Sequence, residues 1–254
     1  MKKQNNYWMI GGIVVIVIIV IWLLAVSYNR RQGNEAPTEP QMSASESGNG
    51  AMTGQEGMNQ GTGESAGGAD LDPLDQYLQD QNGIMAEMMD GMGSVEKTGS
   101  ASLDFLYGMI PHHESAVDMA ESYLKNGGEH KELKPLAEAI IETQTDEIWQ
   151  MKNMIEELKE QGQIDREKEA AYMSEYNQML SGHHEGHGGG DSLDQAFAEG
   201  MIMHHQMAVD MAQSILNYAD EEDVKTLAQN IVTTQEEEIK QMQSVINGLG
   251  HANH

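Results

Sequence analysis

Gly108-Met-Ile-Pro-His-His-Glu-Ser-Ala-Val-Asp-Met-Ala120 recurs as Gly200-Met-Ile-Met-His-His-Gln-Met-Ala-Val-Asp-Met-Ala212, identical at 10 of 13 positions with an offset of 92. A second block follows each copy. Leu136-Ala137, Thr143-Gln144, Glu147-Ile148 and Met151 match Leu227-Ala228, Thr234-Gln235, Glu238-Ile239 and Met242 at an offset of 91. Two motifs kept in order, with a connection that differs by one residue, mark an internal duplication.

Working outward, both blocks read as helices. Ser192 with Gln195 makes a capping box ahead of the second copy's first helix. Lys125-Asn-Gly-Gly128 closes the first helix of copy one, and Asn217 with Asp220 breaks copy two at the matching place. Pro135 suits an opening turn, and Gly162 and Gly248 sit where C-terminal caps are expected. Each copy is then a pair of antiparallel helices that cannot bury its apolar stripe alone. The two pairs are expected to pack as a four-helix bundle, an all-α fold. Further helices are predicted over residues 165–180 and 71–92, where Leu74, Tyr77, Leu78, Met85, Met88, Met89 and Met92 fall at helical spacing. The expected organisation is a Met-rich helix within residues 70–98 and a duplicated domain over 99–250. Within the domain, repeat one covers 102–161, a connecting helix and His-rich loop 162–190, and repeat two 191–248.

On a helical projection Met109, His112, His113, Ala116, Met119 and Ala120 share one face, while Asp118 points away. Met201, His204, His205, Ala208, Met211 and Ala212 repeat the arrangement. Gln144, Glu147, Ile148 and Met151 share a face of the following helix, as do Gln235, Glu238, Ile239 and Met242. Pairing through these faces brings His, Met and Glu side chains together inside the bundle. A lone His or Met on an apolar face is ordinarily a core residue. Adjacent imidazoles on an inner face, repeated and flanked by Met, are different, because burying them costs free energy unless each finds a partner.

A metal ion is such a partner. The candidate ligands are His112, His113, His204 and His205, with Met109, Met119, Met151, Met201, Met211 and Met242 as thioether donors that serve equally as core filler. Glu147 and Glu238 are candidate ligands, partners that fix the tautomer of a liganding His, or surface residues. Softness selects the ion. Thioether favours Cu(I), imidazole suits both copper states, silver(I) should bind similarly, and zinc or nickel would have to use the His alone. Calcium or magnesium would not need Met. Two accessory clusters point the same way: the thioether stripe Met85, Met88, Met89 and Met92, and His183, His184 and His187 in a Gly-rich segment.

The N-terminal part reads differently. Residues 1–9 are a short tail carrying Lys2 and Lys3, and residues 10–28 have the length and aromatic edges of one membrane-spanning helix. A cleaved signal peptide, with Ala25-Val26-Ser27 as its processing site, is the rival reading. Residues 29–69, rich in Gly, Ser, Asn, Gln and Glu, make a disordered linker. The short tail and long acidic C-terminal part favour a single-pass cell-membrane protein with its C-terminal domain outside the cytoplasm.

The chain has 254 residues, with 14 Lys plus Arg against 41 Asp plus Glu and a formal charge of −27. A phosphate backbone would be repelled, so nucleic acid is excluded as a partner. The absence of Cys removes disulfides, zinc ribbons, iron–sulfur clusters and thiol nucleophiles. Twenty Met beside two Phe is an unusual core composition. Hydrolase and nucleotide-binding motifs do not occur.

The doubled Met-Ile-x-His-His-x-x-Ala-Val-Asp-Met-Ala pattern resembles the bacterial domain-of-unknown-function family 305, over about residues 102–248. The resemblance implies a ferritin-like helical bundle and, from some relatives, extracytoplasmic copper binding linked to copper tolerance. Carried over by position, it points to His112, His113 and Met119, with His204, His205 and Met211, as the metal-binding core. Pro111 stands where copy two has Met203, which removes one sulfur and one helix hydrogen bond, so the two halves are not expected to be equal. The leading expectation is a non-enzymatic, membrane-anchored protein that sequesters Cu(I) or Cu(II) or hands it to a copper-accepting protein. A ferritin-like oxidase acting on Cu(I) and a metal-free structural bundle are the alternatives. A di-iron centre is disfavoured because no Glu-x-x-His lies on the inner faces.

Overall fold

A computed structural model describes residues 71–182 and 189–251. Among these residues there are six α-helices and no strand: α1 (Pro73–Gly93), α2 (Ala101–Lys125), α3 (Leu133–Gln161), α4 (Arg166–Gly182), α5 (Leu193–Ile215) and α6 (Glu222–His251). None of them is long and apolar enough to cross a membrane. The anchor and linker expected over residues 10–69, and His183, His184 and His187, lie outside the described residues.

Local chemistry sets the helix ends. Asp72 caps α1 by accepting from Asp75 N–H at 3.0 Å, with Pro73 in the first turn. Ser192 caps α5 by accepting from Gln195 N–H at 3.2 Å. The Gln195 side chain, expected to return to the Ser192 N–H, instead accepts from Asp191 N–H at 3.4 Å, one residue further out. Gly162 ends α3 with φ +64°, the left-handed cap that only glycine adopts without strain. Gly248 does not terminate α6, which runs on to His251. Its lack of a side chain removes no backbone bond, so a glycine near a helix end need not stop it. Inside α2, Pro111 is tolerated and meets Gly91 of α1, where an added Cβ would lie 2.9 Å from the Pro111 Cβ.

α2 and α5 pack on each other, α3 covers α2, α6 covers α5, and α3 touches α6. α1 and α4 each lie against both α2 and α5. The repeat is therefore larger than a helical hairpin. Tyr77 of α1 packs edge-on to Phe197 of α5, and Tyr172 of α4 packs edge-on to Phe105 of α2, each pair with ring centroids 6.4 Å apart. Phe105 and Phe197 are equivalent in the duplication. One turn on, Gln81 of α1 fills the space over Gly200 and Tyr176 of α4 the space over Gly108. Within each unit a carboxylate on the outer helix accepts from an equivalent serine: Asp80 from Ser122 and Glu175 from Ser214. The described residues form two three-helix units, α1–α3 and α4–α6, related by a pseudo-two-fold, and each lends its first helix to the other's central helix. A Tyr and an Asn at an offset of 95 (Tyr77 and Tyr172, Asn82 and Asn177) are the faint sequence trace of this.

The core divides in two about that axis. Met211 of the second unit packs in the cluster that holds Met109 and Met151 of the first. Met119 of the first unit packs in the cluster that holds Met201 and Met242 of the second.

The two glycines of the close helix approaches should respond differently to Ala. At Gly108 the new methyl meets the Tyr176 ring, whose hydroxyl is committed to the Met92 carbonyl at 2.8 Å. At Gly200 it meets the flexible end of Gln81. Gly108→Ala is expected to cost about 1–3 kcal/mol from overpacking. Gly200→Ala should be near neutral, because the helix gain of about 1 kcal/mol offsets the displacement. Urea denaturation of the two variants measures the difference.

Candidate metal centre

The inner faces of α2 and α5 are apolar and small at Ala116, Ala120, Ala208 and Ala212, all fully buried, which lets the helices approach closely. Into this interior α2 projects His112 and His113 and α5 projects His204 and His205, none more than 2% exposed. The ring centroids of His112 and His204 stand 3.8 Å apart across the pseudo-two-fold. His113 lies 6.3 Å from His112, and His205 lies 6.0 Å from His204. At the ends, His113 Nε2 donates to Glu147 Oε2 of α3 and His205 Nε2 to Glu238 Oε2 of α6, both at 2.8 Å. The six side chains form one palindromic row: Glu147, His113, His112, His204, His205, Glu238.

The row leaves several polar atoms open. With Nε2–H committed to a carboxylate, His113 and His205 each keep Nδ1 without a partner. Ser115 donates its one hydroxyl proton to the His112 carbonyl at 2.7 Å, so at its 2.7 Å contact with His204 Nε2 it accepts. That fixes His204 in the Nε2–H form, again with Nδ1 unpartnered. Among the described residues His112 makes no well-formed hydrogen bond at either nitrogen, though the His204 backbone lies close to its ring. Gln144 and Gln235, each 2% exposed and one turn before Glu147 and Glu238, also have unpartnered amide oxygens and nitrogens. Apart from Nε2 of His112, these open atoms fall in pairs related by the duplication. Each such atom costs about 1–3 kcal/mol of desolvation in the apo protein.

Burial, reinforced by the neighbouring rings of His204, His113 and His205, holds His112 well below the ordinary imidazole range. Burial, with His205 and His113 alongside, does the same to His204. Both rings are therefore neutral near pH 7, the state in which a ring nitrogen can bind a metal. Glu147 and Glu238 leave two carboxylates at the ends of the row, placed to offset the charge of a cation between them.

Every interior candidate named from the sequence is inward-facing. Met109, Met119, Met151, Met201, Met211 and Met242 are fully buried. The row does not gather the ligands at one point: among the described residues no three His, Asp or Glu side chains are grouped as a metal site. The sulfurs lie in the two flanking clusters. Of the accessory stripe, Met88 and Met92 are buried in the core, and Met85 and Met89 pack partly buried against it. That stripe is thus taken up in docking α1. Sequence reasoning placed Gln144 and Gln235 on the inner face without giving them a role, and it passed over Ser115. The repeat of Thr-Gln at 143–144 and 234–235 was the available signal.

The fold and the row define a duplicated, all-helical protein with a polar, imidazole-lined interior. The chain belongs to the family described as Domain of unknown function (DUF305), which matches residues 22–155 and 102–246. Among solved structures, CopM in its Ag-bound form is 31% identical over 58% of this chain and 96% of that one, with a TM-score of 0.45. CopM in its Cu(I)-bound form is 30% identical, with the same coverage and TM-score. A DUF305 fragment from Deinococcus radiodurans is 28% identical over 58% of this chain and 95% of its own, with a TM-score of 0.41. An uncharacterized protein of Acanthamoeba polyphaga mimivirus is 37% identical over 54 residues, 21% of this chain and 36% of that protein's length. The silver and copper belong to those structures of CopM; the reading of this site rests on its own residues.

The refusal of protons by His112 and His204 has a measurable consequence. The unfolded chain takes up protons at these positions as pH falls below the ordinary value of 6.5, and the fold does not. Their contribution to stability is thus fully present above that value and is lost as pH falls through the depressed folded values. The metal-free protein should lose up to about 1.4 kcal/mol per pH unit for each ring below that point. Urea titrations between pH 7.5 and 5 should show a shallower acid loss in a His112→Leu/His204→Leu variant than in the parent.

Proposed function

We propose that the protein binds copper in the interior row, Cu(I) foremost, and sequesters it or hands it on without catalysing a reaction. The observation that carries this reading is the set of buried ring nitrogens on four imidazoles with no hydrogen-bond partner among the described residues. Soft cations are partners that these nitrogens can take, and their binding turns a desolvation cost into binding free energy. Cu(I) accepts imidazole and thioether together, and the Met109–Met151–Met211 and Met119–Met201–Met242 groups supply thioether on either side. Silver(I) fits the same donors, whereas zinc would use the nitrogens alone. Glu147 and Glu238 then act by orienting His113 and His205 through their Nε2–H groups.

In this reading the helices form a ferritin-like four-helix bundle, α2, α3, α5 and α6, flanked by α1 and α4. It is held outside the cytoplasm by an anchor over residues 10–28 and a flexible linker over 29–69. The net charge of −27 supports an enrichment of cations around such a domain, a diffuse effect that salt screens. His183, His184 and His187 serve as an outer, labile metal site.

The test uses the detergent-solubilised full chain and a chromophoric Cu(I) chelator in competition. His112→Leu/His204→Leu leaves both Glu–His end pairs in place, so helix content by circular dichroism should be retained. Its Cu(I) affinity should fall at least about tenfold. A folded double variant that competes as well as the parent would rule out the row as the copper site.

A further inference from the structure

The pseudo-two-fold is obeyed by the Tyr–Phe pairs, the side chains over Gly108 and Gly200, the carboxylate–serine bonds and the His–Glu ends. It is broken at the centre of the row. Ser115 of α2 reaches His204 of α5, and the residue equivalent to Ser115 in the duplication is Met207. Applied to the Ser115–His204 contact, the same operation makes Met207 the positional counterpart on the His112 side. Met207 is 2% exposed and packs in the cluster of Met109 and Met211. A hydroxyl therefore satisfies one nitrogen of His204, while the duplication puts no hydroxyl at the equivalent atom of His112, which has the His204 backbone nearby but makes no well-formed hydrogen bond. Thioether sulfur is a poor hydrogen-bond acceptor and a good ligand for a soft monovalent ion.

Resting on the copper reading above, we propose that His112 and Met207 form the first-loading position for a soft monovalent cation, and that Ser115 makes the His204 half the weaker one. Ser115 discriminates by chemistry as well as by occupancy. To bind a metal through Nε2, His204 would have to lose its N–H and the hydroxyl contact, leaving Nδ1 as its one open donor. His112 offers either nitrogen. A hard or nitrogen-preferring ion gains nothing from Met207, so the asymmetry favours Cu(I) and Ag(I) over zinc at this half.

The test takes Ag(I) as probe on the full chain, with affinities from competition and methyl spectra of ¹³C-methyl-methionine protein. Met207→Leu keeps the volume and removes the sulfur. It should weaken the first Ag(I) equivalent by about 10- to 100-fold, whereas Ser115→Ala should leave that equivalent nearly unchanged. Ser115→Met, which makes the halves alike, should add a second tight equivalent. In the parent, the Met207 methyl should shift within the first equivalent added. A Met207→Leu variant that binds the first Ag(I) as the parent does, or a Met207 methyl that stays in place through the first equivalent, overturns the proposal even if a variant folds poorly. If the parent takes up no Ag(I) tightly, or His112→Leu/His204→Leu binds like the parent, the copper reading itself has failed. If both of those hold and only the Met207 results are negative, the asymmetry alone is wrong.

Discussion

Four imidazoles packed between two helices, with ring nitrogens that nothing among the described residues satisfies, are the constraint around which the rest is arranged. An interior of this kind is unfavourable for stability alone, since an apolar residue of similar size at each place would remove the desolvation cost. The structure compensates only part of it. Glu147 and Glu238 each take one N–H, and Ser115 takes a third. The remaining ring nitrogens and the amides of Gln144 and Gln235 are left open. A chain that buries polar atoms at symmetry-related positions and leaves them open has kept them for something other than packing.

The duplication explains how such a row is held. Each central helix is covered by the first helix of the opposite unit, so neither unit has a complete core without its partner. Tyr77 over Phe197 and Tyr172 over Phe105 close the two ends of the α2–α5 contact. Tyr123 stacks on Phe197 at 4.2 Å and donates to Asp194 at 2.6 Å, fixing α2 against α5 at one of those ends. The row lies between these clamps, beside the small buried side chains of Ala116, Ala120, Ala208 and Ala212. The exchange of Met119 and Met211 between the two clusters follows from the same crossing. Thioethers thus flank the imidazoles on both sides of the axis.

Much of this was legible in the sequence because the motif carries its own periodicity. The spacing Met109, His112, His113, Ala116, Met119, Ala120 has one solution on a helix, and its repetition supplied the partner. Capping chemistry at Ser192 and Gly162 marked element ends. Gly248 misled, because a glycine in the last turns of a helix lowers helix propensity without ending it. The three-helix repeat was hidden. α1 and α4 keep Tyr77 and Tyr172 but exchange Leu78 for Met173 and Gln81 for Tyr176, since apolar fit and not identity is what docking requires. The His–Glu bonds and the open Nδ1 atoms were not legible either. They depend on side-chain geometry that residue spacing does not contain, and Ser115 differs between the copies, so no repeat pointed to it.

X-ray absorption at the copper edge, on the full chain carrying one equivalent of Cu(I), reads the atoms that hold the ion. A mixed shell of imidazole nitrogen, recognised by its outer-ring scattering, together with sulfur is the expected result. Because the chain has no Cys, any sulfur in that shell is thioether. A shell of sulfur alone, or of oxygen and nitrogen without imidazole scattering, would place the metal outside the row and contradict the account.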